Sequence, residues 1–237
     1  MLKKGIILVL TLLMLLLIPV SVFAQFKLIL NFDDGYWGVY ENAFPLLQKA
    51  GIPAVVFMPT NLIGKEKHLT LKQLIQLKKE GWEIGSHTVN HPNLAELTTE
   101  GLKYEIINSK LYLQEKGLID GSYASFCSPM TVWNNQIKEI VRANYRVARA
   151  KRLFVFDKEV QVEALLKVIL KTTRITVIQK WIEEAIRLDQ PLILIFHEVA
   201  GGGNEYYFPP EKFAQLIPLI KKYDIVTLQH LLTEKEK

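Results

Sequence analysis

Cysteine is nearly absent. Cys127 is the only one in 237 residues, so no intramolecular disulfide can form. Stability must come from a buried core, and with 49% of residues hydrophobic there is material for one. Beyond Ala24 no stretch is long and apolar enough to span a bilayer. Arginine-rich and aromatic-interleaved tracts are also missing. Removing Lys3 and Lys4 lowers the formal charge from +5 to +3, with Lys and Glu interspersed. So mild a bias gives no reason to expect nucleic acid as a partner. Internal repeats, low-complexity segments and linkers are lacking, and the length suits one larger single-core domain.

What is present starts with a leader. Lys3-Lys4, an apolar run from Gly5 to Pro19 and Ser21-Val22-Phe23-Ala24 describe a secretory signal peptide over 1–24, cut after Ala24. An uncleaved N-terminal anchor is the alternative, because the run is only slightly shorter than a bilayer span. Either way residues 25–237 are expected as one exported domain, periplasmic, wall-associated or secreted. Stable membrane association is expected only if the leader stays.

The chain is organised around Asn31-Phe32-Asp33-Asp34-Gly35-Tyr36, which follows the apolar run Phe26–Leu30, expected to be a buried strand. Neighbouring side chains of a strand point to opposite faces, so two Asp residues share a site only if the chain bends. Gly35 permits that bend. The plainer reading is an Asp-Gly turn that caps a strand. A helix over 40–50, a strand Ala54–Met58, a helix over 70–80 opened by the capping box Thr70-Leu71-Lys72-Gln73, and a strand Trp82–Gly85 follow. A helix over 98–116, a strand over 122–127, a helix over 134–143 and a strand over 145–148 come next. Residues 151–171 read as a loop followed by a helix, and Ile175–Val177 as a strand before a helix over 179–188. Pro191–Phe196 is the clearest buried strand and delivers His197. A helix over 210–222 and a strand Ile225–Thr227 close the chain. This alternation implies parallel strands joined by helical crossovers, and about seven units favour an α/β barrel over an open sheet.

In such a barrel, functional groups gather at the C-terminal ends of strands. Asp33, Asp34, His87, His91 and His197 all fall there; of five histidines only His68 and His230 do not. His87 and His91 are four apart, so one helical turn would place both imidazoles on one side. With Asp34 they form the ligand set of a catalytic divalent metal, with Zn²⁺ the expected ion. Such a site suits hydrolysis of an amide or ester, which also needs a base and an acid. Asp33 is the natural base, with a ligand-orienting role as its alternative. His197, entering from the far side of the barrel, is the natural acid; a satisfied core histidine is the other reading.

These residues resemble the polysaccharide deacetylases, the NodB-type carbohydrate esterases of family 4. Asn31-Phe32-Asp33-Asp34-Gly35 looks like their T-F-D-D-G signature, and Ser86-His87-Thr88-Val89-Asn90-His91-Pro92 matches H-[ST]-x-x-H-P. Leu192–His197 resembles their late strand ending in His. The resemblance implies a distorted (β/α)7 TIM-like barrel that removes N-acetyl groups from amino-sugar polymers, or O-acetyl groups in some members. It carries over Asp33 as base, His197 as acid, and Asp34, His87 and His91 as metal ligands.

One motif departs. The family's R-x-P-[YF] is here Cys127-Ser128-Pro129-Met130, which retains Pro129 of the sugar groove but puts a neutral thiol where a guanidinium would hold the base. Arg149 resembles the Arg that follows a short strand in the family's A-Y-P-Y variant and could supply that charge; an Arg on a solvated loop is the competing reading. Cys127 itself reads as a buried inert thiol rather than a nucleophile, since no cation adjoins it in sequence. Trp37, Tyr36 and Trp133 could stack on sugar rings or merely pack. Gly201-Gly202-Gly203 looks like a loop over the cleft, without the lysine and Ser/Thr pair of a phosphate loop. The altered motif favours a second reading, a catalytically weak NodB-like barrel that binds glycan. A third is hydrolysis of a non-sugar amide or ester.

Overall fold

The computed structural model describes residues 26–121, 123–156 and 160–233. The leader expected over 1–24 lies outside them. Among the described residues no helix is long and apolar enough to cross a membrane.

The first half follows the expected alternation. In order come β1 (Lys27–Phe32), α1 (Phe44–Ala50), β2 (Val55–Met58), α2 (Leu71–Lys79) and β3 (Glu83–Ser86). Then follow α3 (Thr99–Lys103), α4 (Ser109–Glu115), β4 (Ser125–Cys127), α5 (Asn135–Asn144) and β5 (Val147–Arg149). The capping box of α2 is formed: the Thr70 amide donates to Gln73 Oε1 at 2.8 Å and the Gln73 amide to Thr70 Oγ1 at 3.3 Å. The helix expected over 98–116 is interrupted by a widened turn, Tyr104–Asn108, between α3 and α4.

The second half differs. Residues 151–171 hold β6 (Leu153–Val155), β7 (Val160–Val162) and β8 (Leu165–Val168) instead of a loop and helix. Each strand is too short to show a period of its own; β6 pairs with the edge of β5, Val147 opposite Val155 and Arg149 opposite Leu153, β7 with β6, and β8 with β9, and these ladders select the extended form. Ile175–Val177 is not a strand but the first turn of α6 (Ile175–Leu188). Its buried Ile178, Ile182 and Ala185 recur at helical spacing, which overrides the β-branched propensity of the opening residues. After β9 (Leu192–Phe196), β10 (Glu198–Val199), β11 (Tyr207–Phe208) and α7 (Pro210–Ile220), the last strand is β12 (Asp224–Ile225). It ends before Thr227, and an unexpected helix α8 (Leu228–Thr233) follows.

One ten-stranded sheet runs β7-β6-β5-β4-β3-β2-β1-β9-β8, with β12 also paired to β1. Seven strands, from β8 through β9 and β1 to β5, are parallel neighbours, and β5-β6-β7 is an antiparallel extension. This is the expected (β/α)7 barrel, distorted. No ladder joins β7 to β8 among the described residues, yet only Glu163 and Ala164 separate them in the chain. Three residue steps reach at most about 11 Å, so the sheet curls until its two edges nearly meet.

Strand parity sorts the core in two. Leu28, Leu30, Phe32, Val56, Ile84, Phe126, Ala148 and Leu194 join the buried faces of the helices. The alternate positions, Ile29, Val55, Phe57, Cys127, Val147, Ile193 and Ile195, form a separate core inside the barrel with Leu228 and Leu231 of α8. The helix therefore plugs the N-terminal end of the barrel, where the Gln229 amide donates to Glu83 Oε2 at 2.8 Å. Three inner series, extended toward the strand's C-terminal end, reach a charged or titratable side chain: Asp33 after Ile29 and Asn31, Arg149 after Val147, His197 after Ile195.

Candidate active site

The Asp33 amide donates to the Phe196 carbonyl at 2.8 Å, so the β1–β9 ladder runs one step past β1 and Asp33 keeps the inward parity. The bend starts on Asp34 itself, at φ 66°, and continues through Gly35 at φ 65°. Here glycine is required twice over: the conformation is left-handed, and a Cβ on Gly35 would lie 2.0 Å from Met58 Sδ. The turn brings both carboxyls to the C-terminal mouth of the barrel, Asp33 directed into the lumen and Asp34 over its rim.

His87 and His91 do not share a helical turn. The chain from β3 bends through Thr88 (φ 70°) and His91 (φ 59°), and these two left-handed residues turn the imidazoles together with ring centroids 4.7 Å apart. His87 Nε2 and His91 Nε2 stand 3.4 and 3.3 Å from Asp34 Oδ1. That oxygen is buried and closes no hydrogen bond among the described residues. His87 Nδ1 lies 2.8 Å from the Cys127 carbonyl, which accepts its N–H and orients the ring with Nε2 toward Asp34. Three donors within 4.8 Å of one another, one an orphaned buried oxygen, fit a divalent cation. Asp33, His87 and Cys127 also cluster that closely, but a guanidinium already occupies that side.

The guanidinium belongs to Arg149, which is only 2% exposed. Its Nη2 donates to Asp33 Oδ1 at 2.6 Å and to Oδ2, and lies 2.7 Å from Cys127 Sγ. Its carbon sits 5.6 Å from the centre of the Phe57 ring inside the barrel. Asn31 Nδ2 gives Asp33 Oδ1 a further bond at 2.8 Å. Burial alone would push the Asp33 carboxyl up; the Arg149 charge, followed by those of His87 and His197, outweighs it and holds the pKa at about 2. Asp34 is also lowered: burial opposes, and the neighbouring His87 prevails. Burial depresses His87, but Cys127 and Asp34 hold it well above its ordinary value, whereas burial and the neighbouring His87 lower His91. Burial raises the Cys127 thiol despite Arg149 beside it.

His197 does not enter from the far side. Strand β9 is the direct neighbour of β1, Phe196 opposite Phe32, because the curled sheet brings a late strand against the first. The His197 ring packs on Tyr206 with centroids 4.8 Å apart, and its buried Nδ1 has no partner among the described residues. Pro129 is buried at the start of a single turn after β4, whose Met130 is exposed at φ 51°. Trp37 is 44% exposed. Tyr36 stacks on His68 at 5.1 Å, and Trp133 lies flat on Phe154 at 4.9 Å, a packing contact on the hairpin. Sequence reasoning passed over Asn31, although its place two residues before Asp33 put it on the same face. It also passed over Glu105, which no local pattern marks and which bonds the loop between the two histidines.

Two carboxylates and three imidazoles at the C-terminal mouth of a distorted barrel define a metal-hydrolase-like centre. Residues 23–148 match the family described as "Polysaccharide deacetylase", more than half the chain, and the protein belongs to that family. It is 39% identical over 82 residues to YxkH of Bacillus subtilis (strain 168), covering 35% of this chain and 29% of that one. It is 40% identical over 72 residues to the poly-beta-1,6-N-acetyl-D-glucosamine N-deacetylase of Staphylococcus aureus (strain MRSA252), covering 28% and 25%. The matched stretch thus spans less than a third of either relative. In fold it is similar to a family 4 acetyl xylan esterase from Clostridium thermocellum, solved with a cobalt ion: TM-score 0.60, 20% identity, 89% of this chain and 92% of that one.

Proposed function

We propose that the protein, exported by its 1–24 leader, hydrolyses acetyl groups from an N-acetylated amino-sugar polysaccharide. The observation that carries this reading is the convergence of Asp34, His87 and His91 beside an Asp33 that Arg149 holds ionised. Family membership supports it, as does the Staphylococcus aureus relative named for N-deacetylation of a glucosamine polymer. Asp34, His87 and His91 would hold the cation, and two imidazoles with a carboxylate suit Zn²⁺. When bound, such an ion supplies a Lewis acid for the acyl oxygen and lowers the pKa of a water at the site.

Asp33 is the base. Its Oδ1 already accepts from Asn31 and Arg149 while Oδ2 accepts from Arg149 alone, so Oδ2 is the atom left to take a proton. His197, one strand over, is the acid for the departing amine. Trp37 offers an exposed ring to a sugar, and Pro129 sets the turn that borders the groove. The glycan-binding alternative rests on the altered motif, Cys127 in place of the Arg and Met130 in place of the aromatic; Arg149 bonded to Asp33 supports the enzyme reading on the first point. The test is acetate release from N-acetylglucosamine oligomers with and without a chelator. Release that is abolished by the chelator and restored by Zn²⁺ is expected. Release that survives metal removal overturns the mechanism, and oligomer binding without release favours the binding module.

A further inference from the structure

Glu105 lies in the widened turn between α3 and α4 and is 5% exposed, a buried carboxyl that the proposed chemistry does not use. Its Oε2 accepts from the Val89 and Asn90 amides at 2.9 and 2.8 Å, and its Oε1 from Asn90 Nδ2 at 2.7 Å. Among the described residues three donors and no acceptor bond it. The same loop is gripped from its other side, where the Thr60 and Asn61 amides donate to the Thr88 and Val89 carbonyls at 3.1 and 2.9 Å. Asn61 Nδ2 donates to Asn90 Oδ1 at 2.9 Å, which fixes the orientation of the Asn90 amide. Between these grips stand Thr88 and His91, both left-handed, a conformation that L-residues hold only when their surroundings impose it.

We propose that Glu105 is a positioning residue for the metal: it imposes the Thr88–His91 bend and thereby aims His91 Nε2 at Asp34. This rests on the reading of Asp34, His87 and His91 as the ligands. In Glu105→Gln one oxygen still serves the two amides, but the new NH₂ opposes Asn90 Nδ2 unless the Asn90 and Asn61 amides both turn over, and the carboxylate's charge on the two loop amides is lost. Partners that orient a ligand change metal affinity by about 10- to 100-fold.

The experiment is Zn²⁺ binding to the chelator-stripped protein by calorimetry, in the wild type, Glu105→Gln, His91→Ala and the double variant. Glu105→Gln should weaken binding at least 10-fold in the wild-type background and change it less than about 2-fold where His91 is already absent. Equal losses in both backgrounds, or none in either, overturn the inference, because a merely structural carboxyl would not depend on His91. If Glu105→Gln fails to fold, Asn90→Ala, which removes only the side-chain leg, takes its place in the same cycle. A wild type that binds no Zn²⁺ overturns the ligand set itself; a wild type that binds normally beside an unaffected Glu105→Gln overturns this inference alone.

Discussion

Arg149 Nη2 bonds both carboxylate oxygens of Asp33 from a strand four places away in the sheet. The two strands face each other across the barrel lumen, and the pair closes it at the mouth. Arg149→Met should leave the burial of Asp33 unopposed and raise its pKa. The acid limb of the pH profile of acetate release should move up by at least about one unit, and kcat should fall by on the order of 100-fold as the base loses its orientation. Arg149→Lys should not restore it, because a compact, strongly hydrated ammonium does not reproduce the reach of the planar guanidinium to both Asp33 and Cys127 from inside the barrel. An unchanged acid limb in Arg149→Met would contradict the pairing.

The same pair makes stability acid-sensitive. Asp33 titrates at about 2 in the fold against an ordinary 3.8, so the folded protein binds that proton less readily than the unfolded chain. Its contribution, on the order of 2 kcal/mol, is present above about pH 4 and fades as pH falls toward 2. Urea unfolding of the metal-free protein across that window should show the loss. Asp33→Asn, less stable throughout, should show a shallower slope; parallel curves would disprove the assignment.

Asp33 and His87 divide the work differently. Asp33→Asn removes the base but none of the three converging donors, so it should keep its metal and lose turnover. His87→Ala should lose both, together with the bond from His87 to the Cys127 carbonyl. Metal content by atomic absorption separates them, and equal content in the two variants would contradict this division of roles.

Gly35→Ala should cost about 1–3 kcal/mol, since the added Cβ meets Met58 Sδ and the φ of 65° is unfavourable for alanine. The distortion falls next to Asp34, so Zn²⁺ affinity should drop with stability. Unfolding and calorimetry on one preparation check both, and a variant as stable as the wild type would argue against the strain.

Cys127 is buried and its thiol is raised by that burial, so it should resist iodoacetamide at mildly alkaline pH until the protein is unfolded. Cys127→Ser should retain most turnover, because His87 is held by the backbone carbonyl at that position, not by the sulfur. Complete loss of turnover would revive a nucleophilic role.

Much of the centre was legible along the chain. Apolar runs announced β1 and β9, Trp82–Gly85 read as the strand before His87, and a polar residue after each marks where a packed strand reaches the mouth, so Asp33, His87 and His197 could be found one at a time. The bend at Gly35 and the capping box at Thr70 are local chemistry, decided by residues within reach of each other. For the same reason β1, α2 and β9 were placed correctly. By itself, the sequence determined where β1, β3 and β9 reach the mouth and which donors stand there.

The tertiary structure decided which of those donors meet. Cys127 and Arg149 are 22 residues apart, and only the β4–β5 register sets them side by side so that a guanidinium serves where a thiol occupies the motif. His197 became the neighbour of Asp33 because the sheet curls β9 against β1. Strands β6 and β7 exist because β5 offers an edge to pair with, and β8 because β9 offers the edge on the other side. Glu105 gained its place from helix packing that no short window contains. Local propensity and hydrophobic period act over a few residues, whereas register, curl and a buried carboxyl's partners depend on contacts made only when the whole barrel closes.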